Sequence, residues 1–284
     1  MLVRLAYISG GFPIWPLVVA QSSGLFKRAG LNVEVTHTGS SIAQMQGLRD
    51  ARFDLGLQLP DHIVRANLSG FPMKILAAQT HAPDVALVCS AGIDSLTALR
   101  ARPIAVDGAR TGYALLLREL LTAHGLSPGE ILFQEVGDSA QRVQALESGA
   151  VSAALINPPL DRGLVAKGFS RITSTRTAFP DYPGPVMAAR GDWVAENIAA
   201  ARAMQQVWRE SWEWLVDSAH EADAIAIAVG QLAADRDAAT RALATLRAQG
   251  IPTIDGTGLR RVTELVARSE NLKGPLPDPE DWFA

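Results

Sequence analysis

The chain has 284 residues, 48% hydrophobic and 19% charged, with Lys+Arg 26 against Asp+Glu 29 and a formal net charge of -3. That much apolar mass builds a large core in two domains and excludes intrinsic disorder, while the charge balance leaves no basic excess to make nucleic acid the main partner. Cys89 is the single cysteine, which excludes an internal disulfide and any multi-cysteine zinc or iron-sulfur site.

Residues 1–9 enter a strand-like run directly, with no charged, apolar and small-residue succession of a signal peptide before it: either a signal was trimmed or none existed. Apolar runs predict strands over 2–8, 33–35, 55–57, 75–78, 104–106, 132–136 and 153–156, alternating with helical patterns. The clearest helix is 112–124, with Leu115, Leu116, Leu120 and Leu121 at helical spacing and Gly125 as its stop. This alternation predicts an α/β fold with mainly parallel sheets. From residue 191 onward the pattern is helical only. Ile198, Met204, Trp208 and Leu215 outline one apolar stripe, and 235–250 and 257–271 read as two further amphipathic helices. The proline-rich tail 275–279 reads as extended and anchored by Trp282 and Phe283. The longest apolar stretch, 224–229, falls far short of the ~20 residues of a membrane-spanning helix.

The two halves of the α/β region share their punctuation. Leu48, Asp54 and Pro60 in one half and Leu146, Ser152 and Pro158 in the other follow at equal gaps of six residues. Ala29-Gly30-Leu31 and His124-Gly125-Leu126 close equivalent helices. Two lobes of one topology are the economical reading.

In open parallel sheets ligands sit at the carboxyl ends of the strands, where loops and helix N-termini present backbone N–H groups. After the first strand come Ser9, Gly10 and Trp15, whose glycine permits close approach and whose indole offers an apolar wall. After the second, Ser40 and Ser41 stand at a helix start, where a hydroxyl either caps the helix or holds a ligand anion. Asp61 follows the third strand as a cap or a contact, and His81 lies beyond the fourth. In the second half, Arg110 and Thr111 gather a guanidinium, a hydroxyl and amides at one helix start, a combination that suits a carboxylate or sulfonate. Asn157 either meets a polar ligand or braces the turn before Pro158. No phosphate loop, GxGxxG, GxSxG or HExxH motif occurs, and nothing indicates a cofactor or a metal.

Several of these stretches resemble one family. The segment 20–35, AQSSGLFKRAGLNVEV, is similar to the helix-to-strand motif of the solute-binding proteins of nitrate, sulfonate and taurine ABC transporters, a group that includes the thiamin pyrimidine-precursor synthases. Residues 48–54, 104–126 and 145–158 match further motifs in the same order, although 50–52 replaces the usual glycine-containing turn. The resemblance implies a two-lobed periplasmic-binding-protein (Venus flytrap) fold, with lobe 1 at 1–86, lobe 2 at 87–186, and the C-terminal helices of 187–284 returning to lobe 1. It implies chain crossings near 86–90 and 183–189, and a small anionic or polar ligand held in the cleft between the lobes by strand-end residues. It also implies a transporter permease as partner and a periplasmic or extracytoplasmic location if a signal was trimmed, otherwise a cytoplasmic one. The alternative is a cytoplasmic enzyme on the same fold, with His81 and either Asp61 or Asp107 as acid–base groups; the cysteine-rich motif of the thiamin-type synthases is not matched by the solitary Cys89.

Overall fold

In the computed structural model, which describes residues 1–8, 10–158 and 160–284, short runs of four to six residues become strands and the segments between them become helices. Strand β1 (Leu2–Tyr7) leads to α1 (Trp15–Ser22), α2 (Leu25–Arg28), β2 (Asn32–His37), α3 (Ser41–Arg49), β3 (Leu55–Gln58), α4 (Pro60–Leu68) and β4 (Met73–Ala78). Then come β5 (Ala86–Cys89), β6 (Pro103–Val106), α5 (Gly112–Ala123), β7 (Leu132–Glu135), α6 (Ser139–Glu147), β8 (Ala153–Ile156), α7 (Leu160–Ala166) and β9 (Ser170–Ser174). The short α8 (Thr175–Ala178) and β10 (Val186–Arg190) follow. The remaining helices are α9 (Gly191–Glu196), α10 (Ile198–Val216), α11 (Glu221–Gln231), α12 (Arg236–Gln249) and α13 (Gly256–Ser269).

These elements form two compact α/β units. The first comprises Met1–His81, Pro183–Gly256 and Pro277–Ala284, and the second comprises Ala82–Tyr182 and Thr257–Leu276. Thr257–Leu276, with nearly all of α13, groups with the second unit, and Pro277–Ala284 with the first.

Each unit is built on a five-stranded sheet of one topology. The first has the order β2-β1-β3-β10-β4 and the second β7-β6-β8-β5-β9. In both, the first three strands pair in parallel and the fourth runs antiparallel to its two neighbours, so each sheet is mixed, with four strands running one way and a single strand reversed. The antiparallel strands β5 and β10 occupy the segments expected as crossings, because an apolar run beside prolines carries no signal of which sheet it joins. Even the irregularity is repeated: the register slips between Met187 and Ala188 against β4 and between Leu87 and Val88 against β9.

The register extends the punctuation seen in the sequence. Val186 faces Gln58 where Ala86 faces Ile156, so a constant offset of 98 positions relates Leu48, Asp54, Gln58 and Pro60 to Leu146, Ser152, Ile156 and Pro158. Backbone bonds at the opposite strand ends agree. Asp54 N–H donates to Arg4 O and Arg190 N–H to Asp54 O, as Ser152 N–H donates to Pro103 O and Ser90 N–H to Ser152 O.

The first unit's core packs β1, β3 and β10 against α1 and α10 through Leu5, Leu17, Leu57, Met187, Met204 and Trp208. The expected stripe on α10 holds except at Ile198, which is 55% exposed. Trp208 and Trp212 donate their indole N–H groups to Ala78 O (2.9 Å) and Gln79 O (3.2 Å), which fixes α10 to the end of β4. Trp282 is buried in the tail, where Phe283 bridges to Ile75 of β4. The second core joins Val88, Ala105, Leu146, Ala154, Ile156 and Leu164.

Candidate functional site

Helices following β1, β2 and β3 start at the carboxyl ends of the first sheet, and the residues named from the sequence fall there with different fates. Ser9 lies outside the described residues. Gly10 is exposed. Trp15 is completely buried among Val19, Leu215, Ala224 and Ala228, its ring 5.3 Å from that of Phe12, so it forms part of the core and not an open wall. Its indole N–H is buried without a partner among the described residues. The Ser40 hydroxyl caps α3 by accepting from Ala43 N–H (3.3 Å), and Ser41 is half-buried in the first turn. Asp61 is fully buried; one oxygen meets Arg65 at 2.6 Å and the other, Oδ1, has no partner among the described residues. His81 Nε2 lies 2.9 Å from Gly250 O, with its ring edge-on to Trp212. It pairs with no carboxylate among the described residues, so the acid–base couple of His81 and Asp61 is not formed.

In the second unit, Thr111 turns its hydroxyl inward, donating to Asp107 Oδ1 (2.8 Å) and Gly108 O (2.9 Å). The side chain of Arg110 is 77% exposed and meets Glu270 at 3.0 Å, an ion pair that competes with any anion for the guanidinium. Asn157 is exposed and contributes its backbone N–H to Ser139 Oγ (3.1 Å).

Sequence reasoning missed the more informative side chains. Arg142 of α6 is buried and donates to Leu155 O (2.6 Å), Gly137 O and Ser139 Oγ (2.8 Å). Burial pushes its pKa down, opposed by the charges of Asp107 and Asp138. Its counterpart at the 98-position offset is Gln44 of α3, also buried, which donates to Leu57 O (3.2 Å) and Ala6 O (2.9 Å). Leu57 and Leu155 are equivalent by the same offset, so both repeats tie helix to strand through one carbonyl.

Gln58 ends β3 and is 2% exposed, yet neither heteroatom of its carboxamide has a partner among the described residues. Gln44 Oε1 is likewise buried and unpartnered. A Cβ at Gly56 would lie 3.2 Å from the Gln44 carboxamide carbon, so Gln44 lies directly against that glycine. Gln58, two residues further along the strand, projects from the same face of the sheet. Unpartnered buried polar groups are rare because each costs about 1–3 kcal/mol. Here Gln44, Gln58 and Asp61, on α3, β3 and α4, carry four such atoms among the described residues. The detectable signal in the sequence is a glutamine closing the apolar run 55–57 where the second repeat closes on Ile156.

What these groups offer is hydrogen-bonding capacity. Burial pushes the Cys89 thiol up to about 12, which leaves it protonated and unreactive at neutral pH. No group of three or more His, Cys, Asp and Glu side chains placed to hold a metal ion occurs among the described residues.

Comparison with known proteins adds three findings. The sequence model of the NMT1-like family matches residues 3–229. No curated protein matches the chain. Solved structures share the fold. The ligand-binding component of an ABC-type import system from Staphylococcus aureus, with zinc bound, superposes with a TM-score of 0.76 at 18% identity, covering 100% of this chain and 96% of that one. The periplasmic aliphatic sulphonate-binding protein SsuA of Escherichia coli gives 0.75 at 18% identity over 99% and 97%. The desulfurization enzyme DSZB gives 0.67 at 14% identity over 99% and 96%. The fold thus serves receptors and an enzyme alike, and the side chains decide between them.

Proposed function

Since the chain belongs to the NMT1-like family, we infer that it is the solute-binding receptor of an ABC-type importer, taking up a small polar organic molecule at the strand-end loops. The observation that carries this reading is the set of buried side chains at the carboxyl end of the first sheet whose hydrogen-bonding atoms lack partners among the described residues. Such a set suits binding: it offers donors and acceptors held by packed elements, and its histidine, His81, is tied to a backbone carbonyl and not to a carboxylate or nucleophile. Gly10 and Ser41 of the first unit would add backbone and hydroxyl contacts to the ligand. The sulphonate-binding and import-system receptors that share the fold support the transport role. That role puts the protein outside the cytoplasmic membrane with a permease as partner. No helix among the described residues is long and apolar enough to cross a membrane.

Thermal-shift titration tests the reading with a panel of sulfonates, carboxylates, nitrate, carboxamides and heterocycles. A ligand present at about 100 times its Kd adds about 2.7 kcal/mol to stability. A saturable shift with the compound recovered intact by mass spectrometry is the expected result. Consumption of the compound would replace the receptor with an enzyme, and no shift from any member would remove both.

A further inference from the structure

We propose that Gln58 is the specificity-determining residue of the first unit, and that the ligand group it recognises is uncharged and carries a hydrogen-bond donor beside an acceptor, as a carboxamide, lactam or sulfonamide does. The proposal rests on the receptor reading and narrows it to a class of ligand.

Three observations converge on Gln58. Its carboxamide is buried at the carboxyl end of β3 with both nitrogen and oxygen unpartnered among the described residues, so the folded protein bears the cost of desolvating a donor and an acceptor side by side. The fold itself does not require an amide there. The equivalent position of the second repeat is Ile156, fully buried and facing Ala86 as Gln58 faces Val186. A primary amide at a position that accepts isoleucine is a group kept for recognition, and its natural complement is another donor–acceptor pair.

The neighbouring side chains disfavour an anionic complement. Segments 8–16, 38–41, 58–61 and 79–81, which follow the four parallel-topology strands of the first sheet, contain no lysine or arginine. The other buried atoms without a partner among the described residues on the elements flanking Gln58 are Gln44 Oε1 of α3 and Asp61 Oδ1 of α4, both acceptors. Acceptors and a carboxylate oxygen repel an anion but welcome N–H groups. Arg65, on the helix that follows Gln58, is engaged with Asp61 at 2.6 Å.

The test uses matched pairs that differ in charge and hardly in shape: nicotinamide against nicotinate, butanamide against butanoate, and butanesulfonamide against butanesulfonate. Affinities are measured by calorimetry on the wild-type chain and on Gln58→Met, which keeps the length of the side chain and removes both polar atoms. The expected result is at least a tenfold preference for an uncharged member, lost in Gln58→Met, while the melting temperature of the free variant is unchanged or higher. A structural glutamine would instead lower that melting temperature and leave binding intact, which overturns the proposal. Preference for the anions, with Gln58→Met binding them as the wild type does, overturns it while leaving the receptor reading in place. If neither member of any pair binds, this inference falls, and the receptor reading is then judged on the wider panel.

Discussion

Asp54 shows how one carboxylate can be more than its backbone requires. It accepts from the Arg4 backbone N–H (2.9 Å) and from Arg4 Nε (3.1 Å) and Nη2 (2.7 Å), while Arg190 stands 3.7 Å away on the adjoining strand. The second repeat makes the same main-chain bonds with Pro103, Ser152 and Ser90, which carry no charge at all. The charges therefore add a lock to a junction that the main chain already defines. Removing one partner from a buried ion pair costs about 3–5 kcal/mol, because the remaining charge is left desolvated, whereas replacing both costs far less. Arg4 is 40% exposed, so solvent softens the penalty at this site. Asp54→Ser should lose about 2 kcal/mol in urea denaturation. Adding Arg4→Ser to that variant should cost little more; full additivity in the double-mutant cycle would show that the two side chains are not coupled.

Among the elements, α3 and α6 repeat one device with different chemistry. Gln44 and Arg142 each reach from the first turn of a helix to the carbonyl of the penultimate residue of a strand, Leu57 or Leu155. Since a neutral amide suffices in the first unit, Arg142→Gln should lose about 1–2 kcal/mol and Arg142→Ala about 3–4, because alanine abandons every acceptor and leaves a cavity. Equal losses in urea unfolding would mean that the bond to Leu155 O contributes nothing. Much of this level was legible in the sequence. Seven strands were found within two residues at either end, as was α5, because apolar periodicity and glycine stops are local signals. The strands β5, β9 and β10 were not found: the first and last are short apolar runs beside prolines, and β9 is largely polar. The site was less legible still. Trp15 was named as an open wall and is buried, Asp61 falls in the first turn of α4 as expected, and Gln58 and Arg142 passed as ordinary polar residues, since the burial of a polar side chain is a property of three-dimensional packing.

At the scale of the whole molecule, the two sheets differ in how the chain delivers them. All five strands of the second sheet lie within 86–174, whereas the first needs β10, at Val186–Arg190, to join β3 to β4. A fragment of residues 82–182 contains a complete sheet and lacks only α13 of its unit; residues 1–81 contain four strands with the linking one missing. Circular dichroism and hydrogen exchange should find ordered, protected strands in the first fragment and none in the second. Protection of β4 in 1–81 would show that β3 and β4 can close on each other without β10.

The interposed strand β10 also sets an order of events at the ribosome. Residues 1–81 are made before β10 and hold β3 and β4 with no strand between them, exposing unpaired edges, until more than a hundred further residues have been made. By then every strand of the second sheet has been synthesised. The unit whose first strands are translated before those of the other is therefore the unit that matures last, and it is this waiting segment that a nascent-chain chaperone would have most reason to hold.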